Sequence, residues 1–327
     1  MFACFRRAAR IALTSLILAA LPAIGSAQEA WPTKPIALVV TYPPGGGADL
    51  MARLVAPKMS EALGQPIVVD NKPGAAGQIG AAFVAKAKPD GYTVMVDAAS
   101  FVINPSLYPK LPYDTDKAFK PVGVLAVFPH IVVVTPSYEA KSVADLITLA
   151  KSQPGAINYA SSGTGSAQHL AGAAFVQQAK IDLAHVPYKG GGPALNDVMG
   201  GHIPLFFANV ASGLSHIKSG KLRALAVAGE RRISALPDTP TLAELGIPGS
   251  EVYEWNGLFV PAGTPDPIVN RLADALRKAL DSDEIKQRIA GLGGEIFAGG
   301  PAEAARFIAE QRQRTAMIIR EGNIKAD

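Results

Sequence analysis

The sequence predicts an α/β protein built from two lobes with a cleft between them. Short β-rich runs alternate with helical stretches, the alternation restarts once in mid-chain, and Gly-rich loops follow several of the predicted strands. Regular alternation of strands and helices favours parallel sheets with helices on both faces. The composition, 49% hydrophobic and 18% charged over 327 residues, is that of a folded globular protein.

The first α/β unit lies in the N-terminal third of the chain. Apolar runs bounded by turn residues predict strands at 36–42, 66–70 and 92–97. Helices are predicted between them, at about 49–63 and 78–87. This βαβαβ order predicts a parallel sheet.

The same alternation restarts near residue 131 and predicts a second α/β unit. After it, apolar residues recur every four positions from Ile268 to Leu280, which predicts an amphipathic helix with a plausible cap in Thr264-Pro-Asp-Pro. The remaining predicted strands are 131–135, 157–160, 183–186, 203–207 and 222–228, and the remaining helices are 142–151, a helix ending near 178, a helix after 193, and 302–320.

Two extended segments, about 121–134 and 252–261, are predicted to cross between the lobes. The resulting layout places 28–123 and 248–327 in a discontinuous first lobe, with 124–247 inserted as the second lobe. Two crossings provide a hinge, and two facing sheets provide a cleft. Periodicity does not fix this connectivity, so the layout is a hypothesis.

The first 27 residues are predicted to be a signal peptide. Three arginines precede an interrupted apolar stretch at 11–24, and Gly25-Ser26-Ala27 supplies the small residues of a cleavage site. The stretch is too short to span a bilayer. We therefore expect the mature protein to be exported to the periplasm.

Removal of the signal changes the charge and the cysteine content. It leaves 28 basic and 27 acidic residues, so nothing indicates a nucleic-acid partner. Cys4, the sequence's one cysteine, lies within the signal. Disulfides and thiolate metal sites are thus not expected in the mature chain.

Three Gly-rich loops carry the predicted chemistry: 42–49, 161–169 and 188–193. Each follows a predicted strand and opens a predicted helix. The first turn of a helix leaves backbone N–H groups unpaired at the positive end of the helix dipole, and glycine lets a ligand approach them closely. Such turns bind anions. The alternative is that each loop only connects a strand to a helix, with Ser or Thr as the helix N-cap.

For individual side chains in these loops, a ligand-binding role and a purely structural role are both open. Asp49 either contacts a ligand or complements the helix dipole, and His169 either donates to an anion or packs. Lys189 is the best candidate counter-charge, with a solvated lysine as the alternative. Tyr42 and Tyr188 either form pocket walls or pack in the core.

Enzyme signatures are missing from the sequence. No loop completes a dinucleotide-binding, Walker or Gly-x-Ser-x-Gly pattern. The five histidines show no close metal-ligand spacing. Ser166 with His169 is the one nucleophile–base pair to weigh, and no third orienting group is evident. The sequence therefore predicts a protein that is not an enzyme and needs no metal or cofactor.

At these loops the chain resembles the Bug family, the extracytoplasmic solute receptors of tripartite tricarboxylate transporters. The resemblance covers nearly the whole mature chain and lies in motifs that occur in order at matching intervals. They are Trp31-Pro-Thr-Lys-Pro-Ile36, Pro43-Pro-Gly-Gly-Gly-Ala-Asp49, Val69-Asp-Asn-Lys-Pro-Gly-Ala-Ala-Gly77, Ile103-Asn-Pro-Ser-Leu-Tyr108, Asn158-Tyr-Ala-Ser-Ser-Gly163, His169-Leu-Ala-Gly172, His185-Val-Pro-Tyr-Lys-Gly190, Gly220-Lys-Leu-Arg-Ala-Leu-Ala226 and Pro261-Ala-Gly-Thr-Pro265.

The resemblance implies a type II periplasmic binding protein-like fold that closes around its ligand. It implies that strand–turn–helix elements of both lobes bind carboxylate groups, partly through ordered water. The ligand-binding residues carried over by motif are Tyr42, Gly45, Gly46, Gly47, Asp49, Ala99 and Ser100 in the first lobe, and Ser161, Ser162, Gly163, Thr164, Gly165, Ser166, His169, Lys189 and Gly190 in the second.

The function expected from this resemblance is binding of a small organic acid and its delivery to integral-membrane permease subunits by a monomeric receptor. A sensor for a membrane signalling partner is one alternative, and a periplasmic serine hydrolase is another. Many family members carry Asp where this chain has Ala208. If that Asp reads an amino group, its absence argues against an amino-acid ligand.

Overall fold

The structure is a computed structural model that describes residues 31–322 and 324–325. The predicted signal peptide lies outside these residues. The residues described from Lys34 onward belong to one compact unit, which contains every helix and strand given below.

Ten strands are assigned in the described part of the chain. They are β1 (Ile36–Val40), β2 (Ile67–Asn71), β3 (Thr93–Asp97), β4 (Phe119–Val134), β5 (Asn158–Ser161), β6 (Ala184–Pro187), β7 (Leu205–Asn209), β8 (Arg223–Ala228), β9 (Tyr253–Pro261) and β10 (Glu295–Ile296).

Ten α-helices are assigned over the same described residues. They are α1 (Gly47–Leu63), α2 (Gln78–Ala85), α3 (Ser100–Leu107), α4 (Val143–Ser152), α5 (Ala167–Ala179), α6 (Gly191–Met199), α7 (Val210–Lys218), α8 (Asp266–Asp281), α9 (Asp283–Gly291) and α10 (Pro301–Glu321).

The strands pair along the path β2-β1-β3-β9-β4-β7-β5-β6, with β8 and β10 also paired to β4. Parallel pairing joins β1 to both β2 and β3, and joins β5 to both β6 and β7. The predicted alternation therefore produced two sheet regions, each with three parallel strands extended by antiparallel ones. We call them the first sheet region (β1, β2 and β3 with β9, β10 and the start of β4) and the second sheet region (β5, β6, β7 and β8 with the end of β4).

Strand β4 belongs to both sheet regions. From Phe119 to Pro129 it pairs antiparallel with β9, and from His130 to Val134 it pairs antiparallel with β7 and β8. Most of its side chains are buried, in agreement with a run so rich in Val, Leu, Ile and Phe. The two segments predicted as extended crossings, 121–134 and 252–261, are thus strands that pair with each other.

Several elements were not predicted. Helix α3 contains Pro105, and α7 follows β7 without an intervening loop because the Asn209 side chain caps it by accepting from the Ala211 N–H at 2.8 Å. Helix α9 and the two-residue β10 were also missed. The cap expected from Thr264 was wrong: the α8 N-cap is Pro265, without a side-chain cap, and the Thr264 hydroxyl donates to the Pro261 carbonyl at 2.7 Å.

The amphipathic pattern of α8 is confirmed by burial. Leu272, Leu276 and Leu280 are at most 5% exposed. Burying one such side chain stabilises the fold by about 1.5–3 kcal/mol. The apolar face of α8 packs against α1 and β4, which fixes α1 and hence the turn that precedes it.

Candidate ligand-binding site

The three Gly-rich loops each connect a strand to a helix, as predicted. The first runs from β1 to α1, the second from β5 to α5, and the third from β6 to α6. The first belongs to the first sheet region, and the other two belong to the second. Because the carboxyl ends of parallel strands lie at one edge of their sheet, each loop is placed where α/β proteins bind ligands.

A cavity of about 250 Å³ lies where these loops meet, and we call it the candidate pocket. Five of the predicted site residues line it: Tyr42, Ser162, Gly163, Thr164 and Lys189. The other lining residues are Gly74, Ala75, Ala76, Gly77, Tyr108, Pro187 and Tyr188. The predicted residues outside the lining are Gly45, Gly46, Gly47, Asp49, Ala99, Ser100, Ser161, Gly165, Ser166, His169 and Gly190.

The loops of the two sheet regions touch each other beside this pocket. A Cβ on Gly190 would lie 2.3 Å from Cγ of Pro43, and a Cβ on Gly165 would lie 2.6 Å from Oδ1 of Asn104. Gly163 has φ +124°, and a Cβ there would lie 3.1 Å from the Tyr188 carbonyl oxygen. Glycine is required at these positions because any side chain would separate the loops or strain the backbone.

The segment Gly74 to Gly77 forms one wall, and sequence reasoning assigned it no site residue. All four residues have positive φ, including Ala75 at +47° and Ala76 at +49°. A left-handed conformation is uncommon for alanine, and strained backbone of this kind concentrates at functional sites. The signal was the Gly-Ala-Ala-Gly sequence itself, which formed part of the family resemblance.

Asp49 organises the first loop from within. Its carboxylate accepts from Gly45 N–H at 3.1 Å, from Arg53 Nε at 2.9 and 3.0 Å, and from Asn71 Nδ2 at 2.9 Å. Burial by itself would raise the pKa of Asp49, but these bonds hold that pKa below its ordinary value. The carboxylate therefore fixes the loop's shape.

The side chains of Ser161, Ser166 and His169 stabilise the second loop by accepting hydrogen bonds from backbone N–H groups. The Ser166 hydroxyl caps α5 by accepting from His169 N–H at 3.2 Å, and His169 Nδ1 accepts from Gly165 N–H at 3.3 Å. The Ser161 hydroxyl accepts from Gly163 N–H at 3.0 Å and lies 2.6 Å from Nε2 of His185. The rings of His169 and His185 are stacked, with centroids 4.0 Å apart.

Two buried carboxyl groups lie behind the Tyr42 wall. Asp97 accepts from the Thr41 hydroxyl at 2.6 Å and from Ala98 N–H at 2.7 Å. Glu254 accepts from Ala99 N–H at 3.0 Å. Burial raises the pKa of each to about 7, against the opposing effect of these hydrogen bonds. Burial and the nearby Asp97 also raise the pKa of Tyr42 well above its ordinary value.

A larger cavity of about 830 Å³ lies between residues 229–234 and 290–298. None of the predicted site residues lines it. Among the described residues, no group of three or more His, Cys, Asp or Glu side chains is arranged to hold a metal ion. Over those same residues, no helix is both long and apolar enough to cross a bilayer.

The fold and the pocket define a class of protein: a two-lobed α/β protein with a small pocket where strand–turn–helix elements meet. The comparisons agree. Residues 51–324 match the family described as "Tripartite tricarboxylate transporter family receptor". The chain belongs to this family of periplasmic solute-binding proteins.

Solved structures of similar proteins support this membership. The periplasmic binding protein BugD is 33% identical, with a TM-score of 0.87, over 91% of this chain and 100% of BugD. An R. palustris protein with adipate is 34% identical, with a TM-score of 0.88, over 91% of this chain and 100% of that one. MatC from Rhodopseudomonas palustris, with bound malate, is 32% identical, with a TM-score of 0.85, over 88% of this chain and 100% of MatC. The resemblance to the Bug family and the two-lobed fold are thereby confirmed.

Proposed function

We propose that this protein binds a small organic carboxylate in the candidate pocket and delivers it to membrane permease subunits. The observation that carries the proposal is the meeting of turns from both sheet regions around one cavity of about 250 Å³, with Lys189 in its wall. Two solved relatives are described with the dicarboxylates adipate and malate. A pocket of this size suits acids of that kind.

The pocket's chemistry favours an anion. Helices α1, α5 and α6 begin within the last residues of the three loops, and their N-terminal ends carry partial positive charge. The consecutive residues of positive φ from Gly74 to Gly77 resemble the backbone concavities that bind anions through N–H groups. Lys189 adds a full positive charge at the rim, where its side chain is exposed.

We propose a binding role without catalysis. The hydrolase alternative needs the Ser166 hydroxyl to donate its proton to the His169 ring. The Ser166 oxygen caps α5, and His169 Nδ1 accepts a hydrogen bond from a loop N–H. Both side chains support the loop, and family members of known structure are binding receptors.

The proposed lobes are 28–123 with 248–327, and 124–247. The paired strands β4 and β9 would form the hinge between them, since β4 continues from one sheet region into the other. Closure of the lobes would exclude water from the pocket and bring the loops into contact, as Gly190 and Pro43 are here. Export directed by the segment 1–27 would place this receptor in the periplasm. We propose that it acts there as a monomer.

Isothermal titration of the mature protein with adipate, malate, citrate and a set of amino acids tests the proposal. We expect one carboxylate to bind with a Kd of about 1 μM or lower, about −8 kcal/mol. Ser162→Phe should abolish that heat because it fills the pocket, whereas the exposed control Ser152→Phe should not. No heat of binding from any of the acids, or undiminished binding by the Ser162 variant, would refute the proposal.

Delivery needs a separate test. Deleting the gene should abolish growth on the bound acid, and a permease gene beside it should give the same phenotype when deleted. Normal uptake together with loss of an acid-induced transcriptional response would instead support the sensor alternative.

A further inference from the structure

A further cavity of about 320 Å³ lies along helix α10 and shares no residue with the candidate pocket. Its apolar wall includes the rings of Phe101, Phe119 and Phe259. Phe101 stacks on Phe259 with centroids 4.2 Å apart, and it meets Phe119 edge-on at 5.5 Å. All three are at least nine-tenths buried, so packing fixes the cluster, and Phe101 and Phe119 keep a small exposed fraction of 4% and 7%.

Two hydrogen-bond donors in the walls of this cavity lack partners. Within the described part of the chain, the hydroxyl of Thr115 and Nε of Arg312 are buried and make no hydrogen bond. Thr115 is 8% exposed. Buried polar groups are nearly always satisfied, and an orphaned donor of a charged group is the costliest kind. Two such donors lining one cavity indicate a missing acceptor.

The ion pair of Arg312 determines which edge of its guanidinium is available. Nη1 pairs with the carboxylate of Asp116, the residue next to Thr115. The remaining edge consists of Nε and Nη2, whose parallel N–H groups match the two oxygens of a carboxylate. Thr115 can donate a third hydrogen bond. A carboxylate therefore satisfies the unpartnered donors.

We propose that the cavity along α10 is a second binding site, for a small aromatic or cyclic monocarboxylate. The ring lies against Phe101 and Phe119, with Phe259 stacked on Phe101, and the carboxylate binds the Nε–Nη2 edge of Arg312 and the Thr115 hydroxyl. The volume is at the lower end of the roughly 300–1,000 Å³ range of small-molecule sites. Asp116 also lines the cavity, so a second carboxylate on the ligand would be repelled. This site goes beyond the proposed transport function and does not depend on it.

The test is a ¹⁹F NMR titration of the mature protein with 4-fluorobenzoate, carried out in the Ser162→Phe background to block the candidate pocket. We expect saturable binding there. Arg312→Lys keeps the charge and a partner for Asp116 but loses the Nε–Nη2 edge, so its Kd should rise by about tenfold or more. Thr115→Val should raise Kd by about threefold or more, because it removes one hydroxyl donor without changing the side chain's size.

The exposed Arg320→Lys, on the same helix, should bind as the parent does. Circular dichroism melting confirms that each variant is folded, and Thr115→Val keeps the test usable if Arg312→Lys unfolds. Absence of binding in the Ser162→Phe background would overturn the proposal. So would equal affinities in the parent, Arg312→Lys and Thr115→Val proteins, or tighter binding of terephthalate than of 4-fluorobenzoate.

Discussion

The hydroxyl of Tyr108, just beyond helix α3, donates a 2.9 Å hydrogen bond to the backbone carbonyl of Thr164, in the loop between β5 and α5. Both residues line the candidate pocket. The bond therefore joins the two sheet regions directly at the pocket wall. Any opening of the pocket between those regions must break it.

Tyr108→Phe should weaken carboxylate binding about fivefold, because losing one such hydrogen bond costs about 1 kcal/mol. Calorimetric titration with the bound acid measures the change. Tyr138→Phe, at a tyrosine outside the pocket, serves as the control. An unchanged Kd for the Tyr108 variant would mean that this bond does not contribute to the bound state.

Gly163→Ala should destabilise the fold by about 1–3 kcal/mol, because alanine is strained at φ +124°. Binding should weaken as well, since Gly163 lines the pocket. Urea unfolding and titration measure the two effects. Gly291→Ala is the matched control: its added Cβ meets no atom within 4 Å, and it should be neutral or slightly stabilising. Equal stabilities for the two variants would contradict the prediction.

Asp97 and Glu254 should make the fold less stable as the pH rises from about 4.5 to about 7, whereas His130, whose pKa burial lowers to about 4, has the opposite effect up to about pH 6.5. Burial raises the pKa values of Asp97 and Glu254 to about 7 in the folded state. Between the unfolded and folded pKa values the folded chain holds protons that the unfolded chain has released, so rising pH favours unfolding. Each carboxyl contributes at most about 1.4 kcal/mol per pH unit.

Urea unfolding at pH 5, 6, 7 and 8 measures this dependence. Glu254→Gln keeps an oxygen that can accept from Ala99 N–H but cannot ionise, so its stability should depend less on pH than that of the parent. A Glu254→Gln variant whose stability varies with pH just as the parent's does would be inconsistent with a raised pKa of Glu254.

Asp49→Ala should destabilise the fold by about 1–3 kcal/mol, because it leaves the donors of Gly45, Arg53 and Asn71 without their acceptor. The control is Asp70→Ala, which removes an exposed carboxylate paired with Lys72 and should cost less than about 1 kcal/mol. Chemical unfolding compares the two. Full stability combined with lost binding in the Asp49 variant would instead favour direct ligand contact.

Sequence patterns predicted local features of the site well. A Gly-rich loop between an apolar run and a helical pattern marks a strand–turn–helix unit, and all three such loops occur as expected. Tyr42, Ser162, Gly163, Thr164 and Lys189 line the candidate pocket. These residues were accessible to sequence reasoning because their positions follow from the local course of the chain.

Other pocket residues were not accessible in this way. Tyr108 reaches the wall because α3 was placed there by packing, and α3 itself was missed. The positive φ values of Ala75 and Ala76 are imposed by their surroundings, since alanine has no preference for them. The hydrogen bond between Asp49 and Asn71 could not be predicted from the sequence either, because Asn71 lies 22 residues away in the chain.

The sequence alone determined the α/β class, the two α/β units and the turns that open helices, because these depend on local periodicity and on glycine's conformational freedom. Only the tertiary structure decided that one strand, β4, joins both sheet regions and that the turns meet around a single pocket. Those facts depend on hydrogen bonds and side-chain packing between segments far apart in the chain, and such contacts leave no periodic signal in the sequence.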